Sequence, residues 1–148
     1  MNVIAPEQVV TALLKHNLYP AQGIWVDNAK VKKQGWKDYK EVCRVCGLAA
    51  LFINKECDKL GQKLEWAKSK VRYLSNLYKS DNGITRIGMD LGLSPGYSYG
   101  FLFGWDGFFH IPWNIITSLL REEDFLSGYE AGKQSWIICN KECTKEIQ

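Results

Sequence analysis

Hydrophobic and polar residues follow helical spacing along most of the chain. The most regular stretch is 59–79, where apolar residues recur at intervals of four and three positions: Leu60, Leu64, Ala67, Val71, Leu74 and Tyr78. Side chains at this spacing share one face of an α-helix, and the lysines of the stretch lie off that face. The spacing predicts an amphipathic helix over 59–79, which the turn residues Asp81-Asn82-Gly83 would end.

Other segments show the start and stop signals of helices. Pro6 suits the first turn of a helix over 6–17, and the nearly continuous apolar run of 41–57 predicts a buried helix. Ser94 and Pro95 are typical of the N-cap and the first position of a helix, and the acidic residues 122–124 suit the first turn of a last helix to about residue 143. Short helices are also predicted over 84–92 and 113–120.

Residues 20–40 have no helical spacing. Pro20, Gly23, Asn28 and Gly35 interrupt the pattern, and the short apolar or alternating runs 24–26 and 30–33 are typical of a small β-hairpin. The sequence therefore predicts a mainly α protein. We expect one compact domain over 1–148, with five to seven helices and a small β-hairpin near 20–40.

Two segments of the C-terminal half share a pattern of aromatic residues and glycines. They are Tyr97-x-x-Gly100-Phe101-x-x-Gly104 and Phe125-x-x-Gly128-Tyr129-x-x-Gly132. Glycines four positions apart leave a notch on a helix in which another backbone can lie close. Because each glycine weakens a helix by about 1 kcal/mol, we expect the two notched helices to pack against each other or against a shared third helix.

The C-terminal half resembles small uncharacterised bacterial and phage proteins in three segments. These are Leu91-Gly92-Leu93-Ser94, the Tyr97-to-Gly107 segment with its Trp105-Asp106-Gly107 end, and Gly128-Tyr129-x-x-Gly132. The resemblance covers residues 84–136. It implies no activity and no catalytic residues, and it suggests only that the protein belongs to a phage or a mobile element.

Composition and cysteine usage limit the class of protein. The chain has 148 residues, of which 46% are hydrophobic and 24% charged, and these are the proportions of a folded domain. No apolar run has the 18 or more residues of a membrane span, and the N-terminus lacks the pattern of a secretory signal. The five cysteines, an odd number, indicate free thiols in a reducing compartment, so we expect a cytoplasmic protein that does not bind a membrane.

Charge is distributed unevenly along the chain. Residues 1–79 contain 14 basic and 7 acidic side chains, whereas residues 80–148 contain 5 basic and 9 acidic ones. A basic cluster with interleaved aromatic residues lies in the N-terminal half. It comprises Trp25, Lys30, Lys32, Lys33, Trp36, Lys37, Lys40 and Arg44. Aromatic and cationic side chains are common anchors of protein interfaces, so an acidic protein surface is the expected partner. Nucleic acid is the alternative partner, because stacking aromatics among cations also bind single strands.

The cysteines offer two further hypotheses. Cys43 and Cys46 have the spacing of metal ligands, and Cys139 and Cys143 lie one helical turn apart, so four thiolates could hold a zinc ion. The first pair lies in an apolar run predicted to be helical, and buried cysteines are commonly small core side chains. We therefore expect core thiols, with no metal and no cofactor.

A catalytic role is the second hypothesis for the cysteines. Cys46-Gly47-Leu48-Ala49-Ala50-Leu51 resembles the start of the nucleophile helix of papain-like cysteine peptidases, with His110 as the base and Asp124 as its orienting group. Two features oppose it: Cys46 is predicted to lie inside its helix, and residues 94–143 are predicted to be helical, whereas that family places its histidine on a sheet.

The sequence as a whole favours a small, non-enzymatic binding protein of the adaptor or inhibitor type. It would use the basic, aromatic-bearing N-terminal half to bind an acidic partner. A nucleic-acid-binding protein and a cysteine hydrolase remain the alternatives, and neither the identity of the partner nor the oligomeric state follows from the sequence.

Overall fold

The computed structural model describes residues 3–32, 35, 37–77, 79–107 and 121–143, with the side chains of residues 76–82 left outside this description. The described part is mainly helical, as the sequence predicted, and contains six helices and one small sheet. The helices are α1 (Pro6–Lys15), α2 (Gly47–Asp58), α3 (Leu64–Leu77), α4 (Lys79–Asp90), α5 (Pro95–Trp105) and α6 (Glu122–Glu142). The helix predicted over 113–120 lies outside the described residues.

Three strands form the sheet: β1 (Leu18–Pro20), β2 (Val26–Val31) and β3 (Lys40–Val45), in the order β1-β3-β2. β2 and β3 are antiparallel, with Val26 opposite Val45 and Val31 opposite Lys40. β1 pairs with β3 in parallel, with Leu18 opposite Cys43. The predicted hairpin therefore exists, but its second strand lies at 40–45, beyond the interval in which we expected it.

The helix predicted over 41–57 is wrong in its first part, because residues 40–45 form β3 and the helix begins only at Gly47. An apolar run rich in valine is compatible with a buried strand as well as with a buried helix. Here Val42 and Val45 are buried in the sheet. Cys46 follows the strand and caps the helix, since its Sγ accepts a hydrogen bond from the backbone N–H of Ala49 at 3.4 Å. The prediction that Cys46 lies inside its helix is therefore also wrong.

The helix predicted over 59–79 begins later, at Leu64. Leu60 is 56% exposed, and Gly61 adopts a φ of +68°, which interrupts the helical path between α2 and α3. The predicted stop at Asp81-Asn82-Gly83 is wrong, because these residues lie inside α4. A Cβ on Gly83 would be 3.2 Å from the Cα of Ser75, so the glycine permits α3 and α4 to pack closely.

The two glycine-notched helices pack directly against each other, which confirms the sequence prediction. A Cβ on Gly100 would lie 2.0 Å from the carbonyl oxygen of Phe125, and one on Gly104 would lie 2.0 Å from that of Tyr129. The relation is reciprocal, since a Cβ on Gly128 or Gly132 would lie 2.1 or 2.0 Å from a carbonyl oxygen of α5. Backbone thus contacts backbone along α5 and the first half of α6.

One hydrophobic cluster includes residues from all six helices and from β1 and β3. Trp105, at the end of α5, is fully buried and donates a hydrogen bond from its indole N–H to the carbonyl oxygen of Ala21 at 2.8 Å. The Gln22 side-chain amide donates to the carbonyl oxygen of Trp105 at 2.7 Å, and the N–H of Gly23 donates to Asp106 Oδ1 at 2.9 Å. These three bonds attach the β1–β2 connection to the end of α5. Across the described ranges, no helix is both long and apolar enough to cross a membrane.

Candidate interaction surface

The β2–β3 hairpin exposes most of the basic side chains that the sequence singled out. Lys30 lies on β2, Lys32 and Lys37 lie in the connection, and Lys40 begins β3, and all four are exposed to solvent. Residues 26–45 contain six basic and three acidic side chains, so the hairpin keeps a positive surplus. We call Lys30, Lys32, Lys37, Tyr39 and Lys40 the hairpin surface.

An exposed tyrosine stands among these lysines. Tyr39 is 66% exposed, and the ammonium group of Lys32 lies over its ring, 5.7 Å from the ring centroid. The antiparallel register explains this contact, because continuing it by one position beyond Val31 and Lys40 places Lys32 opposite Tyr39. The sequence places Tyr39 among the aromatics interleaved with these lysines, although it is not one of the predicted partner-binding residues.

Arg44 is held by an acidic neighbour. Its guanidinium donates hydrogen bonds of 2.9 and 2.7 Å to the two carboxylate oxygens of Asp27, which lies directly opposite on β2. The hydrogen bonds to Asp27 raise the pKa of Arg44, with burial acting in the opposite direction. The charge of Arg44 is therefore matched within the hairpin. Among the described residues, none of the exposed lysines of the hairpin forms an ion pair, although Glu41 lies opposite Lys30 in the strand register.

Of the tryptophans in the predicted cluster, Trp25 is half-buried and packs against the hydrophobic core. Its carbonyl oxygen accepts a hydrogen bond from the N–H of Cys46 at 3.2 Å. The position of Trp25 is therefore that of a packing residue at the base of the hairpin. Lys33 and Trp36, which belong to the same predicted cluster, lie outside the described residues.

Helix α3 adds positive charge beside the sheet. The buried ammonium group of Lys68 hydrogen-bonds the thiol of Cys43 on β3 and pairs with Glu65 at 3.0 Å. Burial raises the pKa of Cys43, and nearby Lys68 and Arg72 act in the opposite direction. Cys43 on β3 lies opposite Asn28 on β2, so their side chains are on the same face of the sheet. Lys30 is two residues after Asn28 and shares that face, which is the one that α3 approaches.

The structure separates two members of the predicted cysteine-hydrolase triad. Cys46 lies near Asp106 at the C-terminal end of α5, whereas Asp124 contacts Gly96 at the N-terminal end of the same helix. An 11-residue helix is about 15 Å long, so the two groups belong to different regions of the protein. His110 lies outside the described residues. The geometry does not support a site that combines Cys46 with Asp124.

The environment of Cys46 also opposes a nucleophilic role. Its position at the N-terminus of α2 favours a thiolate, but burial outweighs this effect and raises the pKa of Cys46 to about 12. Because the thiol is both fully buried and protonated, we expect iodoacetamide at pH 8 to alkylate Cys46 at least about a hundredfold more slowly in the folded protein than in the unfolded chain. Mass spectrometry of the alkylated protein measures this rate, and the urea-unfolded chain is the control. Rapid alkylation of folded protein at pH 8 would contradict the burial argument.

The four cysteines of the zinc hypothesis do not come together. Among the described residues, no three histidine, cysteine, aspartate or glutamate side chains form a group that could hold a metal, and Cys43, Cys46, Cys139 and Cys143 are all described. Cys139 and Cys143 do contact each other. The Cys139 thiol donates a hydrogen bond to Cys143, which lowers the pKa of Cys143 and raises that of Cys139.

One cavity of the protein lies away from the hairpin surface. It has a volume of about 630 Å³ and lies between α1, α2 and the end of α4. Glu7, Thr11 and Met89 on its rim are exposed, and Lys55 is paired there with Asp90. No residue of the hairpin surface lines this cavity. The cavity is therefore separate from the predicted interaction residues.

A half-buried ion pair between α2 and α3 was also missed by sequence reasoning. Glu56 is 1% exposed, and its Oε1 accepts a hydrogen bond from Lys70 at 3.1 Å. The Lys70 ammonium also lies over the rings of Phe52 and Trp66, at 5.6 and 5.1 Å from their centroids. The contacts of Lys70 with Glu56 and Phe52 join the two helices, whereas its contact with Trp66 lies within α3.

Comparison of the chain with models of protein families, with curated proteins and with solved structures finds no match.

Proposed function

We propose that the protein is a small, non-enzymatic binding protein of the cytoplasm that acts as an adaptor or inhibitor by holding an acidic partner protein against the hairpin surface. The observation that supports this most directly is the exposure of Lys30, Lys32, Lys37 and Lys40 around one exposed tyrosine. Exposed lysines that form no ion pair with a described residue steer an acidic partner to this end of the molecule, and an aromatic side chain supplies an anchor.

The aromatic contacts favour a protein partner over a nucleic acid. Binding of single strands relies on aromatic rings whose faces are open for base stacking. The Lys32 ammonium already lies over the Tyr39 ring, and Trp25 packs against the core. Among its described residues, the hairpin therefore offers cations with one aromatic anchor rather than a platform of open rings.

Two double variants that reverse lysine charges test the location of the binding surface. We expect the double variant K30E/K32E to bind fluorescent polyglutamate about tenfold more weakly than the parent at low salt, since about 1.4 kcal/mol of lost attraction has that effect. The control K133E/K141E makes the same change in net charge on the exposed side of α6 and should retain affinity within about twofold of the parent. Fluorescence anisotropy measures both affinities.

Equal weakening by the two double variants would show that only net charge matters and would contradict the proposed surface. A mixed-sequence single-stranded oligonucleotide, measured under the same conditions, separates the alternative. Tighter binding of the oligonucleotide than of polyglutamate, lost in K30E/K32E, would assign the surface to nucleic acid instead.

A further inference from the structure

Among the residues that the structure describes, strand β2 forms an open edge of the sheet. The strand order β1-β3-β2 gives β2 one hydrogen-bonded neighbour, β3. In an antiparallel pair every second residue of an edge strand directs its N–H and C=O away from its partner. Within the described part of the chain, those outward groups of β2 make no hydrogen bond to another residue. The opposite edge, β1, has only three residues and packs against α1 and α6.

The side chains along β2 differ between its two faces. Asn28 and Lys30 are exposed on one face, and Lys32 continues that row just after the strand. Ala29 and Val31 are half-buried on the other face, where Ala29 lies opposite the buried Val42. A strand lying alongside β2 would therefore meet positive charge on one face and small apolar side chains on the other.

The charge along this edge selects the kind of strand that can pair with it. Lysines on an edge strand oppose pairing with an identical edge, because the like charges would meet. The same lysines attract a strand with acidic side chains on the matching face. Arg72 of α3 adds positive charge near Cys43, on the face that bears Lys30.

We propose that the acidic partner binds as an extended strand that pairs with the open edge of β2, with acidic side chains beside Lys30 and Lys32 and small apolar side chains beside Ala29 and Val31. This inference rests on the proposed function and adds the form of the partner segment. Backbone hydrogen bonds would supply affinity, and the alternation of acidic and apolar residues would supply specificity.

Backbone methylation of a peptide tests strand pairing separately from charge. The probe is a seven-residue, end-capped fluorescent peptide that alternates glutamate and valine. Two further versions have N-methyl groups on the backbone nitrogens of either the glutamates or the valines. In a paired strand, the backbone N–H groups of either the glutamates or the valines face β2, and those of the other residue type point away from it. We expect one methylated version to bind at least tenfold more weakly than the parent peptide, and the other to stay within about threefold.

The possible outcomes distinguish this inference from the proposed function. If the unmethylated peptide binds and both methylated versions bind equally well or lose affinity equally, charge alone holds the peptide and strand pairing is wrong. If the peptide fails to bind a protein that binds polyglutamate through Lys30 and Lys32, strand pairing is also wrong, while the hairpin surface stands. If the inference is right, K30E/K32E weakens binding of the unmethylated peptide and K133E/K141E leaves it unchanged.

Discussion

Replacing Gly132 with alanine is expected to lower the free energy of unfolding by about 3 kcal/mol, at the upper end of what overpacking costs. The new Cβ would lie 2.0 Å from the carbonyl oxygen of Phe101 and 2.9 Å from the backbone nitrogen of Trp105. These are backbone atoms, so no side-chain rotation relieves the contact and α5 must move away from α6. Urea-induced unfolding followed by circular dichroism measures the loss.

Gly61 provides the control for this substitution. It has a φ of +68° but no atom within 4 Å of the position of a Cβ, so Gly61→Ala should cost only about 1 kcal/mol of backbone strain. In an open helical position, alanine is about 1 kcal/mol more favourable than glycine. A Gly132→Ala variant as stable as the parent protein would therefore disprove the close approach of α5 and α6.

Replacing Trp105 with alanine is expected to cost about 4 kcal/mol of unfolding free energy, because the side chain is fully buried and leaves a large cavity. Its ring contacts Trp136 of α6 edge-on, with the ring centroids 5.2 Å apart. Its indole N–H also bonds the carbonyl oxygen of Ala21, so Trp105→Phe should lose about 1 kcal/mol through the missing donor and some packing besides.

An exposed tryptophan gives a matched control. Trp66 on α3 is 45% exposed, so Trp66→Ala should change the unfolding free energy by about 1 kcal/mol or less. Equal losses for Trp105→Ala and Trp66→Ala would contradict the burial assigned to Trp105. Because Trp105 attaches the β1–β2 connection to α5, its replacement should also weaken peptide binding at β2, whereas Trp66→Ala should leave that binding unchanged.

The helices with local signals were the predictable part of the fold. Ser94 caps α5 through its side chain, which accepts a hydrogen bond from the N–H of Tyr97 at 3.2 Å, and Pro95 occupies the first turn. Both features act within four residues and are visible in sequence. The pairing of α5 with α6 was predictable as well, because four glycines at matching intervals have few other physical uses.

The strands depended on distant partners and were harder to predict. β3 acquires its conformation by pairing with β1 in parallel and with β2 in antiparallel orientation, and no local pattern distinguishes 41–45 from the start of a buried helix. Gly83 was misread for a similar reason, since its role is to let α4 approach Ser75 and only the packed structure shows that contact.

The sequence predicted the lysines of the proposed interaction surface but not how its residues are arranged. The exposure of Lys30, Lys32, Lys37 and Lys40 agrees with the usual position of lysines at protein surfaces. The pairing of Arg44 with Asp27 depends on strand register, and the half-burial of Trp25 depends on the core beneath the hairpin. Neither could be derived without the fold.

The hydrogen bonds that join the N-terminal segment to α5 have a consequence for protein synthesis. The Ile4 N–H is held by the Tyr97 hydroxyl, 93 residues later, and Ala21 is held by Trp105, 84 residues later. A ribosome must therefore translate past residue 105 before the β1–β2 connection acquires its anchor. Until then the nascent chain exposes an unanchored strand edge, so chaperone protection is most needed during that interval.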